Sequence, residues 1–327
     1  MRPEAPTAAP VAGATPERIL AIDRYRGLLV ILMVGGNYLA GVQLVPAALK
    51  HAPDIGFTIA DTVASAFVFT VGLNYGPSFA RRAQRGIAGA YRHFLLRYLA
   101  LIGLGALIAA GGTAVEGTVT DWGVLQALGV AGLLCLPVIR TPTWARLAIG
   151  LLLLCAYQLL LDRWALDAVL GSVHGGFIGA LSWGALLILS TAVADVWRAG
   201  IGPFALCCVA IVAVAAITVF IVPVSKHRVS LSFVLITLAI SALSFLLVLL
   251  AARVGPAKAG VLCWWGENAL ALYLVHLVLM SLVVLPPAAW WYAQAPAWLV
   301  VAQLSATLAI MTVLAWLLHR RRWRLDL

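Results

Sequence analysis

The chain has 327 residues, 63% of them hydrophobic and only 10% charged, with a mean hydropathy of +1.02. A soluble domain carries roughly 25% charged residues, so a water-soluble globule is excluded, and a bilayer must solvate most of this chain. The net charge of +10 does not point to nucleic acid, because the basic residues sit in short clusters between apolar runs without interleaved aromatics, as membrane topology signals do.

Residues 1–16 are rich in Ala and Pro and carry no long apolar core. They read as a short disordered tail rather than a cleavable signal peptide. The predicted organisation is a cytoplasmic tail over 1–17 and one transmembrane domain over 18–327. Apolar runs then predict spans near 27–45, 58–79, 91–110, 122–139, 147–161, 176–194, 201–222, 229–251, 261–285 and 297–318. Most approach the roughly 20 residues that cross a bilayer, and the fifth is the shortest. The predicted fold is therefore all-α, a polytopic bundle of about ten transmembrane helices.

Lys and Arg alternate in density from loop to loop. The tail, the segments near 81–97, 140–146, 198 and 253–258, and the C-terminus together hold eighteen. The opposite side holds four, Lys50, Arg163, Lys226 and Arg228. The positive-inside rule then places both termini in the cytoplasm. Most of the tryptophans fall near span ends, as interfacial anchors do. The five cysteines, Cys135, Cys155, Cys207, Cys208 and Cys263, all lie in apolar runs, with no metal-ligand spacing, so no metal is expected. His93, His174, His227 and His319 read as surface or interfacial residues.

Polar groups inside spans are costly and mark candidate sites. All three asparagines, Asn37, Asn74 and Asn268, fall in predicted spans, and Glu267 and His276 share the ninth. At 1.5 Å rise per residue, Asn37 lies roughly 15 Å from the inner end of its helix, near mid-membrane. His51 follows in the first outer loop and Asp61 opens the return helix, so one hairpin carries polar groups from the membrane middle outward. Asn268, Leu272 and His276, spaced i, i+4, i+8, form one stripe that should face the interior. On these grounds alone Asn37 is either a functional amide or interhelical glue. His51 is either catalytic or a solvated loop residue, and Asp61 an orienting carboxylate or a helix cap.

The order of these features resembles the heparan-alpha-glucosaminide N-acetyltransferase family of transmembrane acyltransferases. Six stretches carry the resemblance, which runs over roughly residues 18–320. Arg18 through Ile22-Asp23 to Arg26-Gly27, continued by Met33 and Asn37-Tyr38, is similar to the family's entry into its first helix. Lys50-His51-Ala52 with Gly56-Phe57-Thr58-Ile59-Ala60-Asp61, and then Phe67-Val68-Phe69-Thr70-Val71-Gly72, resemble the next two motifs. Gly123-Val124-Leu125-Gln126 follows, then Pro223-Val224-Ser225-Lys226 before Ser230-Leu231-Ser232, and last Asn268-Ala269-Leu270 with Tyr273 and His276. The chain departs from the family where Pro53-Asp54-Ile55 replaces a Trp-containing step, at Ser65 in place of Pro, and at Ala127 in place of a basic residue. It also lacks the large luminal insertion and the extra N-terminal helix of the animal enzyme.

The resemblance implies transfer of an acetyl group from cytosolic acetyl-CoA to an amine, on an amino sugar, at the outer side of the membrane. It implies His51 as the catalytic residue, acting as base or as transient acyl carrier, with Asn37 as its partner. Asp61 would orient the imidazole. The donor would be held by Arg24, Arg26, Arg81 and Arg82, whose planar forks suit phosphate, with Gln126, Asn268 and His276 along its path. The implied partners are an acyl-CoA donor, an amino-sugar or glycan acceptor, the lipid bilayer and a second copy in a homodimer. Composition suggests a bacterial inner membrane. Two other readings stay open: an O-acyltransferase acting on a hydroxyl of an envelope glycan or small metabolite, and a transporter or permease without acyl chemistry.

Overall fold

A computed structural model describes residues 16–116, 122–254 and 260–325. The expected disordered tail lies almost entirely outside the described residues. Among the described residues the regular structure is helical throughout: α1 (Pro16–Ala40), α2 (Thr62–Ala83), α3 (Ile87–Glu116), α4 (Val124–Cys135), α5 (Thr143–Leu160), α6 (Leu166–Leu170), α7 (Gly176–Ala199), α8 (Ile201–Val219), α9 (Leu231–Val254), α10 (Val261–Glu267), α11 (Ala269–Val284) and α12 (Ala297–Arg320). With no water in the hydrocarbon to satisfy backbone groups, the apolar runs must pair their amides internally, and helices do so.

Nine of the ten expected spans each fall largely on one helix, and the ninth falls on two. Among the described residues six helices are long and apolar enough to cross a bilayer, or seven if α10 and α11 count as one bent span. The fifth span is longer than its apolar run suggests, because a π-turn at Leu161–Ala165 joins α5 to α6 and carries the helix past Asp162 and Arg163. The ninth is not one helix. It bends by 90° at Asn268, so the i, i+4, i+8 stripe expected along a continuous helix is broken at its first member. Leu272 and His276 are still fully buried, and Asn268 nearly so.

The centre of the bundle is α7, which packs against α2, α4, α5, α8 and α9. Its middle is therefore buried on all sides, its own Trp183, Leu186, Leu187 and Ile188 being almost fully enclosed. A second seam joins α1 to α10 backbone against backbone. A Cβ at Gly27 would stand 1.8 Å from the Leu262 carbonyl oxygen, and one at Gly266 would stand 1.9 Å from that of Asp23. Only glycine allows this approach, the small-residue contact by which helices associate in lipid. The seam brings the start of α1, the end of α10 and the end of α12 to one end of the bundle, where His319 meets Glu267 at 2.9 Å. Both described chain ends thus share one face, here called the basic end. The C-terminal end of α1 lies at the opposite, far end, where the Gln43 amide donates to the Ala293 carbonyl at 2.8 Å.

Candidate active site

Two loops close on each other at the far end, residues 50–61 between α1 and α2 and residues 222–230 between α8 and α9. The Gly56 amide donates to the Val224 carbonyl at 2.9 Å, and the Ser225 hydroxyl donates to Asp54 Oδ1 at 2.8 Å. Arg228 clasps the same carboxylate, its Nε 2.9 and 3.0 Å from the two oxygens and its Nη2 also on Oδ2. The bond from Arg228 holds the Asp54 carboxyl below the usual range, against a smaller opposing effect of burial. Val229 keeps the second loop in shape at φ 48°, a left-handed conformation that is costly for a β-branched residue.

Inside this clasp lies Asp61, with no exposed surface. Its Oδ2 accepts from the Ala52 amide at 3.3 Å, the Thr58 amide at 3.0 Å and the Thr58 hydroxyl at 3.1 Å. Its Oδ1 faces His51 Nδ1 at 2.8 Å and Lys226 Nζ at 3.6 Å. Burial works to raise the Asp61 carboxyl. The bond from His51, the Lys226 charge and the two amides outweigh it and hold the carboxyl below its ordinary value. Lys226 is buried too, its side chain 11% exposed, and burial pulls the ammonium below its ordinary value while Asp61 opposes.

A carboxylate accepts and cannot donate, so Asp61 Oδ1 fixes the proton of His51 on Nδ1 and leaves Nε2 as the basic nitrogen. The ring is 42% exposed, within reach of a substrate. A base oriented by a buried carboxylate is an arrangement suited to proton abstraction or nucleophilic attack.

Asn37 is held elsewhere. Its Nδ2 lies 2.9 Å from His276 Nε2, while His276 Nδ1 meets the Tyr273 carbonyl. A carbonyl only accepts, so Nδ1 carries the proton and Nε2 accepts from the Asn37 amide. The expected partnership of Asn37 with His51 is therefore replaced by one with His276, and His51 is paired with Asp61 and Lys226. One amide N–H of Asn37 is spent on His276, and the second remains to meet a ligand on this exposed side chain.

The residues expected to hold the donor are dispersed. Arg26 donates to the Gly266 carbonyl at 3.2 Å and meets Asp23 at 3.5 Å, a contact that ties α1 to α10. Arg24 interacts with Cys263, and Arg81 and Arg82 are exposed at the end of α2. Gln126 is buried where α4 crosses α3 at Gly105, and Asn268 accepts from the Leu325 amide at 3.4 Å. None of these lines the cavity of about 700 Å³ that opens at the basic end, whose lining includes Trp264, Trp316, His319, Arg320, Arg322 and Arg324.

Two groups escaped the sequence. Lys226 reads in the sequence as an outer-loop charge, although its place after Pro223 in one of the stretches that carry the resemblance is a signal. His174, read as a surface residue, sits in a left-handed turn at φ 55°, followed by Gly175 at 78° and Gly176 at 61°. Its carbonyl accepts from Trp183 Nε1 at 3.1 Å, and it lies within electrostatic range of Lys226, His51 and His227.

Apolar helices around buried polar groups at mid-bundle and at the far end make this an integral multi-pass membrane protein. Residues 18–178 match the family model described as "Heparan-alpha-glucosaminide N-acetyltransferase, catalytic". This segment, which contains Asn37, His51, Asp61 and His174, is similar to that family over just under half of the chain. A similar protein is the human heparan-alpha-glucosaminide N-acetyltransferase, 36% identical over 124 residues, a stretch covering 36% of this chain and 18% of the human protein. Lys226, Asn268 and His276 lie beyond the matched segment.

Proposed function

We propose that the protein transfers an acetyl group from acetyl-CoA, entering from the basic end, to an amine presented at the far end. The observation that carries this reading is the buried Asp61 carboxylate fixing the proton of His51 on Nδ1, within the segment that matches the family. His51 Nε2 takes the proton of the attacking amine as the new C–N bond forms. The bond from the acetyl carbon to sulfur breaks, and the proton passes to the departing thiolate, so CoA leaves as the thiol. The second N–H of Asn37 is a donor for the developing oxyanion, where one well-placed hydrogen bond has most effect. The cavity at the basic end offers three arginines for phosphates, one of them, Arg324, 3.9 Å from the Glu267 carboxylate that also lines it, and two indoles for an adenine ring.

The name of the human relative supports a glucosamine-type sugar as the acceptor class. A bacterial inner membrane, with the basic end in the cytoplasm, belongs to the same reading. The test is calorimetric titration of acetyl-CoA into the purified protein, followed by turnover with amino-sugar acceptors. Binding with His51-dependent acetylation supports the reading. A folded sample that binds no acetyl-CoA but carries solute across liposomes overturns it in favour of a transporter.

A further inference from the structure

We propose that Lys226 is a positioning residue for His51: its ammonium, set against both ring nitrogens, opposes the pull of Asp61 towards an imidazolium, while Asp61 holds the proton of the neutral ring on Nδ1. The inference deepens the acyltransferase reading and rests on it only where turnover is measured.

Geometry carries the argument. Lys226 Nζ lies 2.9 Å from His51 Nδ1 and 3.4 Å from Nε2. Asp61 Oδ1 lies 2.8 Å from the same Nδ1. Nδ1 has room for one hydrogen-bond partner in the ring plane. An ammonium only donates and a carboxylate only accepts, so the two compete for it. The pairing without conflict has the Nδ1–H of His51 donate to the Asp61 carboxylate and lets Lys226 share that carboxylate from 3.6 Å.

Asp61 alone beside His51 would stabilise the imidazolium, as an opposite charge at hydrogen-bond distance does. An imidazolium is neither base nor nucleophile, so that pair by itself would disable the ring near neutral pH. A cation within 3.4 Å of both ring nitrogens cancels this pull. The other charged and titratable groups nearby are His174, from the turn before α7, His227, next along the loop, and the Asp54–Arg228 pair. That pair is internally compensated, which leaves Lys226 as the cation that sets the balance at His51.

The loop is built to present this lysine. Lys226 is carried into the interior by a turn in which the Val229 amide donates to the Lys226 carbonyl at 3.1 Å and the Ser230 amide donates to the Ser225 carbonyl at 3.1 Å. Closing the turn places buried Val229 in its left-handed conformation. Backbone strain kept around a buried lysine is the kind that persists where function needs a fixed geometry.

The test uses the full chain in detergent with ring-labelled histidine, the His51 signal being assigned by its loss in His51→Ala. In Lys226→Met the pH at which the His51 ring gains its proton rises by about one unit or more relative to wild type. In Lys226→Arg it stays close to wild type. The acid limb of kcat/KM moves in the same direction in Lys226→Met, while a merely structural lysine would lower the rate without moving the limb. Asp61→Asn supplies the converse, with the midpoint falling below that of wild type, and serves if Lys226→Met does not fold. An unmoved midpoint in a folded Lys226→Met protein, or a midpoint that does not fall in Asp61→Asn, overturns the proposal. If wild type shows no acetyl transfer, the acyltransferase reading fails, and the ring titration still decides the role of Lys226.

Discussion

Asn37 and His276 grip each other across the bundle, the amide nitrogen 2.9 Å from the ring nitrogen although 239 residues separate them. The far side of the ring is anchored on the Tyr273 carbonyl, so the imidazole acts as a fixed bracket and sets the rotation of the amide. His276 is fully buried and no ligand need touch it. His276→Ala should therefore act through Asn37. The expected result is a fall in kcat of about a hundredfold, the lower range for loss of one oxyanion donor, with little change in KM for acetyl-CoA. His276→Gln, which retains an acceptor at that level, recovers part of the loss. Steady-state kinetics on the two variants check this.

His51 occupies a different position in the chemistry, and its removal should separate binding from turnover. In His51→Ala the acetyl-CoA affinity should stay near wild type, because the cavity proposed for the donor lies at the opposite end of the bundle. Turnover falls by about 10² to 10⁴-fold, the contribution of a positioned general base. Calorimetry and an end-point acetylation assay on the same sample provide both readouts.

The basic end offers a direct choice between two sets of arginines for the proposed donor. Arg81 and Arg82 stand exposed on α2, whereas Arg320, Arg322 and Arg324 line the cavity with Trp264 and Trp316. Arg322→Gln combined with Arg324→Gln should weaken acetyl-CoA binding by about tenfold or more, since hydrogen bonds to charged groups each contribute about 1.5–3 kcal/mol. Arg81→Gln combined with Arg82→Gln should leave it within about twofold, because exposed charges outside the cavity act only through screened solvent. The reverse ranking, measured by titration calorimetry, would move the donor to α2.

Acid should loosen the far end first. Asp54 titrates below its ordinary 3.8 in the folded protein because Arg228 and Ser225 bind its charged form. A carboxyl whose folded value is depressed adds stability that is fully present above the unfolded value and is lost as pH falls through the folded one. Asp61 has the same sign. Melting temperature in detergent should therefore drop as pH is lowered from about 5 towards 3. Asp54→Asn, which has no such charge to lose, should start lower and fall less over that window.

The apolar runs and the alternation of Lys and Arg carried most of the helix layout in the linear chain, because the bilayer imposes both span length and loop charge. His51, Asp61 and Asn37 stood out for a related reason: polar side chains are rare in such a sequence. Their partners were not legible. Lys226 meets His51 across 175 residues and Asn37 meets His276 across 239, and no periodicity reports a contact between distant helices. The break at Asn268 was hidden because the short Gly266-Glu267-Asn268 step sits between two apolar runs that together have the length of one span. His174 looked ordinary because its left-handed backbone is a property of the fold and not of the residue.

The break at Asn268 has a cause that can be tested at two glycines. α10 must turn away from α11 to lie along α1, and it does so where Gly27 and Gly266 allow the backbones to touch. A methyl group at Gly27 would overlap the Leu262 carbonyl at 1.8 Å, and one at Gly266 would overlap the Asp23 carbonyl at 1.9 Å. Neither neighbour is a flexible side chain that can move aside, so the helices must separate. Overpacking of this kind costs about 1–3 kcal/mol. Separation would also draw Gly266 away from Arg26, whose bond to its carbonyl is 3.2 Å long, and would displace the neighbouring Glu267 from His319 in the lining of the cavity proposed for the donor. Gly27→Ala and Gly266→Ala should each lower the melting temperature in detergent and weaken acetyl-CoA binding together. Gly89→Ala, at a helical position where an added methyl meets open space, should do neither. If the two seam variants melt like wild type, the close approach of α1 and α10 is not what holds the basic end together.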